Sequence, residues 1–431
     1  MIIKKFFDGE RLKPLNYPSF PMGRTNEHIK ETPMEILLHE WLGLLVRWLH
    51  MVTAIAWIGS SFYFMWLDNS LRDYGTLEPG ADGENWSVHG GGFYHIQKYM
   101  VTPERMPAEL HWFKWESYMT WISGFCLMAI VYYWGAESYL VDRAVLDISP
   151  AIAIAISVAS LAVGWFIYDL LCRSPLKEKG GVLFAILFAF IVLSAYGFGL
   201  VFSDRAAFIH VGAMIATMMT ANVFMVIIPN QKKVVAALTA GESPDPALGK
   251  AAKLRSTHNN YLTLPVLFMM ISIHYPIVFS HDWSWLVVAL VLTLGAVVRE
   301  FFNARNVGRG GAAIAWQWPL AAALTVGLIA LTAWKPGGEI VLEDEVFTPD
   351  ALAIVQIRCL SCHAAKPTDE DIEDAPGGVM FDDAAMLKTH AAKVLAQAVL
   401  TKAMPLGNKT AMSDDERARL GAWIKAGMPD E

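Results

Sequence analysis

The sequence predicts an all-α protein in which an eight-helix transmembrane bundle is followed by a small α-helical domain. Composition is the first observation behind this fold class. Of the 431 residues, 55% are hydrophobic and only 17% are charged, whereas soluble domains carry about 25% charged residues. The second is patterning, because a membrane-spanning helix needs about 20 mostly apolar residues and eight such segments occur. The predicted spans are residues 41–67, 117–135, 150–172, 182–203, 206–229, 260–280, 283–299 and 313–334.

Polar sequence on both sides of the spans divides the chain further. Residues 1–40 form an N-terminal arm without the apolar core of a cleavable signal peptide, so insertion is expected to depend on the internal spans. Residues 41–334 hold the bundle, and the glycine- and proline-containing residues 335–345 are a predicted linker. The tail, residues 346–431, contains acidic runs that account for most of the net charge of -7, which predicts a separate soluble domain.

The distribution of lysine and arginine between the predicted loops sets the expected orientation. Each odd-numbered loop contains two or more basic residues, whereas the even-numbered loops contain only Arg143, only Arg205 and none. The odd loops are therefore expected in the cytoplasm and both termini outside it. The arm, with Lys4, Lys5 and Arg11 among its basic residues, would prefer the inside, but seven consistently alternating loops outweigh it.

The tail contains a motif that is typical of heme attachment. The stretch "CLSCH" places Cys359, Cys362 and His363 in the order C-x-x-C-H. The two thiols can form thioethers with the vinyl groups of a c-type heme, and the imidazole can ligate its iron; a redox-active dithiol is the alternative. Because this attachment takes place on the outer face of bacterial membranes, the motif agrees with the charge pattern. Both place the tail and the N-terminus in the periplasm of a multi-pass protein of the bacterial inner membrane.

An electron-transfer heme needs a second axial ligand, usually Met or His, and Met raises the reduction potential. Met404 in "TKAMPLGNKTAM" is the preferred candidate, because Pro405 would rigidify its loop. Met380, Met412 and His390 are the alternatives. The following stretch "SDDERARLGAWIKAG" predicts a capped C-terminal helix that packs back on the heme. The tail is therefore predicted to be a small α-helical monoheme cytochrome c domain.

Three histidines fall within the predicted spans, where ionisable groups are costly and usually face the bundle interior. They are His50, His210 and His274, in spans one, five and six, and the predicted orientation puts all three in the outer half of the bilayer. Such a group could hold a b-type heme through two imidazoles, with His50 the preferred ligand. Hydrogen bonding between helices, or the lining of a polar cavity, is the alternative.

A second polar group collects at the predicted cytoplasmic end. It comes from "RSTHNNYLTLP" in span six, "REFFNARN" at the end of span seven and "LHWFKWESY" in the first loop. Arginine and amide groups can hold a planar anion, and a histidine or lysine can act as a base; loop polarity and helix caps are the alternative. The candidate catalytic residues are His258, Asn259, Asn260, Arg299, His111 and Lys114. Asp169, near the same end of span three, is a buried-acid candidate for which the sequence indicates no partner.

The stretches "WLHMVTAIAWIGSSFYFMWLDNSL" and "HNNYLTLPVLFMMISIHYP", with the terminal "CLSCH" and "MPLGNKT", support a comparison with a known family. On these stretches the whole chain resembles the bacterial membrane-bound urate oxidase (urate hydroxylase) family, in which eight spans precede one cytochrome c domain. The heme motif is common to cytochromes c, so the two membrane stretches carry the specificity. The segment around His50 is also similar to membrane proteins that bind heme through a first-helix histidine.

The resemblance implies oxidation of urate to 5-hydroxyisourate in purine catabolism, with electrons passed through heme c to the respiratory chain. It carries over Cys359, Cys362, His363 and Met404 as heme attachment points or iron ligands, and it assigns no urate ligand. The implied partners are urate, membrane lipid and a respiratory electron acceptor such as a cytochrome c or a terminal oxidase, with no nucleic acid.

The sequence does not assign the side of the membrane on which urate binds. A site at the inner face would require electrons to cross much of the bilayer, which is one reason to expect a heme within the membrane. A site at the outer face, near His50 and His274, would remove that need. Two other function classes are also open: a quinol-oxidising electron-transfer subunit, and a heme-binding membrane protein without urate chemistry.

Overall fold

The computed structural model describes residues 33–104, 106–107, 109–334, 345–369 and 372–430, and over these ranges the protein is mostly helical. The arm up to residue 32 and linker residues 335–344 lie outside the described residues. The membrane part contains α1 Pro33–Ser70, α2 Trp115–Met128, α3 Ala136–Tyr139, α4 Pro150–Arg173, α5 Gly180–Gly199, α6 Asp204–Ala221, α7 Ile228–Thr239, α8 Pro246–Ser272, α9 Pro276–Phe279, α10 Ser284–Asn306, α11 Ala312–Ala315 and α12 Gln317–Ala333. The tail contains α13 Thr348–Arg358, α14 Ala384–Thr389, α15 Ala391–Val394 and α16 Asp414–Lys425. Turns of π-helix follow α2, α6 and α15 at Ala129–Tyr133, Asn222–Ile227 and Leu395–Leu400.

Six helical segments of the described residues are long and apolar enough to cross a membrane, which is compatible with a multi-pass membrane protein. They are Leu37–Ser70, Pro150–Arg173, Gly180–Gly199, Asp204–Thr239, Ser284–Asn306 and Ala312–Ala333. The predicted spans 117–135 and 260–280 are largely helical but fall outside these six, so the count of eight is not confirmed. One reason is that α2, which its π-helical turn extends, begins with polar residues such as Glu116 and Ser117. The other is that polar residues of α8, such as Arg255 and His258, lower its hydropathy.

A β-hairpin between α1 and α2 departs from the all-α prediction. Strands β1 (Ala81–His89) and β2 (Gly92–Tyr99) pair antiparallel across a two-residue turn. Gly90 and Gly91 form this turn with φ of 59° and 80°, and positive φ at both positions is what a tight hairpin turn requires. The glycine run in "VHGGGFYH" is the signal for it, whereas the prediction treats the segment as a loop.

Glu84 of β1 fastens the hairpin to the segment that follows α1. Its fully buried carboxylate accepts hydrogen bonds from the Thr76 hydroxyl (2.6 Å) and the Tyr74 backbone N–H (3.0 Å), and it lies 2.5 Å from His95 Nε2. These contacts, the Thr76 hydroxyl foremost, lower the pKa of Glu84 to about 2. Because the folded-state pKa is depressed, the stability that this carboxylate adds is complete at neutral pH and is lost as the pH falls toward 2.

The span that contains α6 lies at the centre of the bundle. In its apolar 18-residue stretch 61% is buried inside the protein, compared with 6% for the corresponding stretch of α1. Glycines allow the neighbouring helices to approach closely. A Cβ on Gly212 of α6 would lie 2.9 Å from Met269 Cβ of α8, and one on Gly295 of α10 would lie 2.6 Å from Pro265 Cδ of α8. Both contacts place α8 against its neighbours with no room for a larger side chain.

The tail forms its own hydrophobic core between α13 and α16. Val355 of α13 and Trp423 of α16 are completely buried in it. Ser413 and Glu416 form a capping box at the start of α16, which confirms the predicted capped C-terminal helix. Arg358, at the end of α13, lies 3.0 Å from the Glu416 carboxylate and ties the two helices together.

The tail contacts the bundle at the end that carries α3. A Cβ on Gly407 of the tail would lie 2.9 Å from the carbonyl oxygen of Val141 and 3.0 Å from that of Ser138. The N-terminal end of α6 adjoins the same segment, because the Ser203 hydroxyl donates a hydrogen bond to the Tyr139 carbonyl oxygen at 2.8 Å. This end, formed by residues 134–149, 200–205 and 273–283, is termed the tail-side end, and the opposite one the far end.

Replacing Gly295 with alanine is expected to lower the unfolding temperature in detergent, because the new methyl group would enter space held by Pro265. Such overpacking costs about 1–3 kcal/mol, which exceeds the roughly 1 kcal/mol that alanine gains over glycine in a helix. Gly327→Ala in α12 is the matched control, since nothing lies within 4 Å of its Cβ, and it should unfold at the same or a higher temperature. Equal stabilisation of both variants would contradict the close α8–α10 packing.

Candidate functional site

The C-x-x-C-H residues lie in a turn at the end of α13. Cys359 is the first residue beyond the helix, and its carbonyl oxygen accepts hydrogen bonds from the N–H groups of Cys362 (3.2 Å) and His363 (2.9 Å). Cys359 also packs against the core of the tail. The turn therefore presents two thiols and an imidazole in succession at the edge of an apolar core.

His363 is oriented for ligation through Nε2. Its Nδ1 lies 2.9 Å from the carbonyl oxygen of Val379, so a proton on Nδ1 can be donated to that carbonyl while Nε2 keeps its lone pair. Metal-ligating histidines are usually held in this way. Phe381 packs beside the imidazole, with ring centroids 5.3 Å apart. The residues present therefore fit the proximal side of a c-type heme.

The environment of the two thiols bears on the dithiol alternative. Burial raises the pKa of the Cys359 thiol to about 12 and also raises that of Cys362. Redox-active dithiols depend on thiols with a lowered pKa, because the thiolate is the reactive form. These half-buried thiols therefore lack the lowered pKa on which a redox-active dithiol depends.

Arg417 fixes the loop that carries Met404. Its buried guanidinium donates hydrogen bonds to the carbonyl oxygens of Met404 and Ala398, both at 2.5 Å, and to Asn408 Oδ1 at 3.2 Å. Met404 packs against the same core as Cys359, which suits an axial ligand. The choice of Met404 over Met380, Met412 and His390 stays a prediction.

Polar side chains of α4, α8 and the π-helical turn after α6 form one network at the far end. His258 Nδ1 lies 2.9 Å from the Tyr168 hydroxyl, which accepts a hydrogen bond from Asn222 Nδ2 at 2.8 Å. Asn222 Nδ2 also donates to Asn259 Oδ1 (2.9 Å), and Asn222 Oδ1 accepts from Arg255 Nη1 (3.3 Å). Each member is thus bonded to another, and the network joins three helical segments without a ligand.

Asp169 has a partner that the sequence does not indicate. Its Oδ1 lies 2.6 Å from Arg255 Nη2, and its Oδ2 lies 2.7 Å from Arg173 Nε. Arg255 is 3% exposed, and its guanidinium lies over the Tyr168 ring, 4.9 Å from the centroid. Asp169, which the sequence leaves unassigned, is therefore the counter-ion of a buried arginine.

Asn260 and Arg299 form a second network between α8 and α10. Arg299 Nε donates to Asn260 Oδ1 (3.3 Å), Arg299 Nη2 donates to Asn303 Oδ1 (3.3 Å), and Asn303 Nδ2 donates to Asn260 Oδ1 (3.0 Å). The guanidinium lies 4.0 Å from the centroid of the Phe62 ring. Asn260 Nδ2 is buried without a hydrogen-bond partner. A free amide beside a cation could bind an oxygen atom of a planar anion.

The cavity beside His258 offers little space for such a molecule. It is mostly apolar, measures about 40 Å³ and borders His258, Tyr168 and Tyr261. Pockets for small molecules usually measure about 300–1,000 Å³, so this cavity has room only for a few water molecules. A larger apolar groove of about 460 Å³ lies between α8, α10 and α12, beside Leu264 and Val298, but it offers few polar groups to hold an anion.

His111 and Lys114 join neither network. His111 packs against Phe113, with ring centroids 4.6 Å apart, and the Lys114 Nζ lies 5.8 Å from the Trp115 ring centroid. Their predicted grouping with the α8 residues is not observed, because sharing one end of the bundle does not fix lateral position. Local aromatic packing before α2 sets where these two side chains lie.

The three membrane histidines are not brought together as one ligand set. His50 Nδ1 lies 3.0 Å from the Thr120 carbonyl oxygen of α2, and no hydrogen bond to its Nε2 occurs among the described residues. His210 is completely buried and uses both ring nitrogens, with Nε2 2.5 Å from the Ser157 hydroxyl. His274 lies beyond the end of α8 and is exposed. Of the three, only His50 lies half-buried against a neighbouring helix with a ring nitrogen that has no hydrogen bond among the described residues.

Sequence reasoning missed Tyr168 and Asn222, which connect His258 to Asn259. Asn222 begins a π-helical turn, and such turns are frequent at functional sites. A polar amide within the fifth predicted span is itself a signal, because polar groups inside a membrane need partners. Tyr168 has a weaker signal, since tyrosine is common at the ends of spans.

Replacing Asp169 with alanine is expected to destabilise the protein strongly, because it leaves Arg255 buried without a counter-ion. Breaking a buried pair in this way costs about 3–5 kcal/mol. Arg173→Ala is the matched control: it removes the exposed partner of the same carboxylate (68% exposed) and should cost about 0–1 kcal/mol. Thermal unfolding in detergent measures both, and similar losses in the two variants would contradict the role assigned to the Asp169–Arg255 pair.

Comparison with known proteins gives one result for the membrane part. The family model described as Urate oxidase N-terminal matches residues 36–334, a stretch that holds both far-end networks and ends with α12, before the tail. No curated protein and no solved structure gives a match. Because the matched region covers more than half of the chain, the protein belongs to the urate oxidase N-terminal family.

Proposed function

We propose that the protein is a membrane-bound oxidoreductase that oxidises urate to 5-hydroxyisourate and passes the electrons through a c-type heme in its tail. The observation that carries this proposal is the combination, in one chain, of the family match over residues 36–334 with a C-x-x-C-H turn in a docked domain. Urate and one water molecule give 5-hydroxyisourate, two protons and two electrons. The electrons pass to a respiratory acceptor, such as a cytochrome c or a terminal oxidase, on the periplasmic side of a bacterial inner membrane.

The residues of the tail fit this role. Cys359 and Cys362 would attach the heme, and His363 and Met404 would ligate its iron. When bound, the heme supplies a one-electron acceptor whose potential a methionine ligand raises. The chain itself fixes the geometry, because a backbone carbonyl orients the His363 ring and Arg417 holds the Met404 loop.

The two electrons of the reaction exceed what one c-type heme accepts at a time. A b-type heme in the bundle, with His50 as ligand, remains part of the proposal for this reason. Its Nδ1 contact with the Thr120 carbonyl oxygen is the arrangement expected of a metal-ligating imidazole. His210 is less suited, since Ser157 engages its Nε2.

The far-end residues His258, Asn259, Asn260 and Arg299 are substrate-binding candidates from the sequence. The unpartnered Asn260 amide beside Arg299 supports them. Their position counts against them, since the 12 residues from Asn260 to the end of α8 at Ser272 correspond to a rise of about 18 Å toward the tail-side end. Electrons from a far-end site would have to cover that distance before they reach the tail.

Oxidised, purified protein is expected to show reduction of its c-type heme when urate is added without oxygen. A pyridine hemochrome spectrum should give one c-type heme per chain, together with any b-type heme. Cys359→Ser and Cys362→Ser should lose covalent heme, because each removes one thioether. Cys126→Ser is the control, since Cys126 lies outside the C-x-x-C-H motif, and this variant should keep the heme. Reduction by a quinol analogue but not by urate would contradict the proposal, as would a spectrum without c-type heme.

Gly407→Ala is expected to slow the reduction of the heme by urate without loss of heme. The added Cβ meets two carbonyl oxygens of the bundle, and overpacking of about 1–3 kcal/mol would weaken docking by roughly 5- to 150-fold. Gly427→Ala is the matched control, because Gly427 also has positive φ (87°, against 57° at Gly407) but nothing lies within 4 Å of its Cβ. Single-turnover stopped-flow absorbance measures the rate, and equal slowing in both variants would show that backbone strain rather than docking is responsible.

A further inference from the structure

A cationic group with unsatisfied atoms lies at the tail-side end. Arg205, in the first turn of α6, has its Nε buried without a hydrogen-bond partner. Its guanidinium lies over the Tyr139 ring, with Cζ 5.6 Å from the centroid. The ring of Tyr132 packs edge-on against that of Tyr139, with centroids 6.4 Å apart. Tyr132 is 3% exposed, and its hydroxyl lies beside the Arg205 side chain and has no other hydrogen-bond partner among the described residues.

Further positive charge surrounds these tyrosines. The charges of Arg205 and Arg47, the latter from α1, both act on Tyr132. His274, just beyond α8, lies within the range of electrostatic interaction with both arginines. Arg47 and His274 are exposed, so the group is open on one side and buried on the other. Arg47, Tyr132, Tyr139, Arg205 and His274 are termed the Arg205 group.

No carboxylate of the described residues forms an ion pair with this group, although Asp142, Asp204 and Asp282 lie at the same end of the bundle. None of the ion pairs in the described part of the chain includes Arg205 or Arg47. Unpaired buried donors are rare in folded proteins, and each implies a missing partner such as a water, an ion or a ligand. Ionisable groups in a membrane bundle are especially costly and mark binding sites. An anion is the partner that would satisfy the guanidinium and the phenol together.

We propose that the Arg205 group binds the urate anion, so that the substrate enters from the tail-side end; this inference rests on the proposed urate oxidation. A planar, oxygen-rich anion can accept hydrogen bonds from the Arg205 guanidinium and the Tyr132 hydroxyl. The ring of Tyr139 provides an aromatic wall beside it. The ligand recognised is a flat purine with a delocalised negative charge. A guanidinium suits it better than an ammonium, because the planar guanidinium can donate two parallel hydrogen bonds.

The position of the tail supports this choice over the far end. Gly407 of the tail sits on the carbonyl oxygens of Ser138 and Val141, the residues that flank Tyr139 and its helix α3. An anion at the Arg205 group would therefore lie on the side of the bundle where the tail docks. Electrons would then not need to cross the bundle.

Equilibrium binding of radiolabelled urate to the chemically reduced, full-length holoprotein tests this site without turnover. Arg205→Gln is expected to raise the dissociation constant by about tenfold or more, the loss expected for one charged hydrogen bond. Tyr132→Phe should raise it several-fold, and Arg205→Lys should give a value between those of the wild type and Arg205→Gln. Arg143→Gln is the control, since Arg143 lies at the same end but is exposed and paired with Glu137 at 2.6 Å; its affinity should be unchanged. The c-type heme spectrum reports that each variant is folded.

The outcomes separate this inference from the proposed function. Unchanged affinity in both Arg205→Gln and Tyr132→Phe would overturn it, as would loss of affinity in Arg299→Gln with none in Arg205→Gln. In either case urate would still reduce the wild-type heme, and the proposed function would stand. A wild-type protein that neither binds urate nor is reduced by it would contradict the proposed function, and the inference would fall with it.

Discussion

The arrangement of the bundle depends on one constraint: polar groups carried into an apolar, water-poor interior must find partners within the protein. α8 shows the constraint most clearly, because one helix brings Arg255, His258, Asn259 and Asn260 inside. The first three join α4 and the turn after α6, and Asn260 joins α10. The buried guanidinium of Arg255 ties α8 to α4, since Asp169 of α4 is the carboxylate paired with it among the described residues. Packing through glycine then brings the helices close enough for these bonds to form.

The same constraint makes buried polar atoms without a hydrogen-bond partner candidates for ligand binding. The buried side-chain atoms without partners include Asn260 Nδ2 at the far end and Arg205 Nε with the Tyr132 hydroxyl at the tail-side end. At the far end the neighbours are neutral amides around a nearly inaccessible arginine, and the adjoining cavity is small. At the tail-side end, the unpaired atoms belong to a cation and a phenol beside two exposed basic residues. The second arrangement presents basic side chains at the protein surface, and positive charge beside unpaired donors favours binding of an anion there.

Features encoded by short stretches could be predicted from the sequence, and those that depend on distant residues could not. Hydropathy is local, so apolar helices were expected where they occur, and the C-x-x-C-H turn and the Ser413 cap are local as well. The pairing of Asp169 with Arg255 joins residues 86 positions apart, and no pattern in either segment reveals it. His210 and His50 have the same residue type and similar surroundings in sequence. Ser157 engages Nε2 of His210, whereas Nε2 of His50 has no hydrogen bond in the described part of the chain. Tertiary contacts, which the local sequence does not reveal, decide which ring nitrogens stay unengaged.

The two ends of the bundle differ in their distance from the tail, and this distance matters for electron transfer. Electrons taken from the substrate must leave the bundle for an acceptor outside the membrane. The tail, with its predicted heme, is the proposed route. The tail docks through Gly407, whose missing side chain lets the loop that follows Met404 approach the backbone of α3. That close approach would not bring the heme of the tail near a substrate site about 18 Å farther along α8. Electrons from such a site would need a second cofactor between the substrate and the tail. The network around His258 joins α8 to α4 and to the turn after α6, whereas the proposed urate site lies at the opposite end of the bundle, where the tail docks.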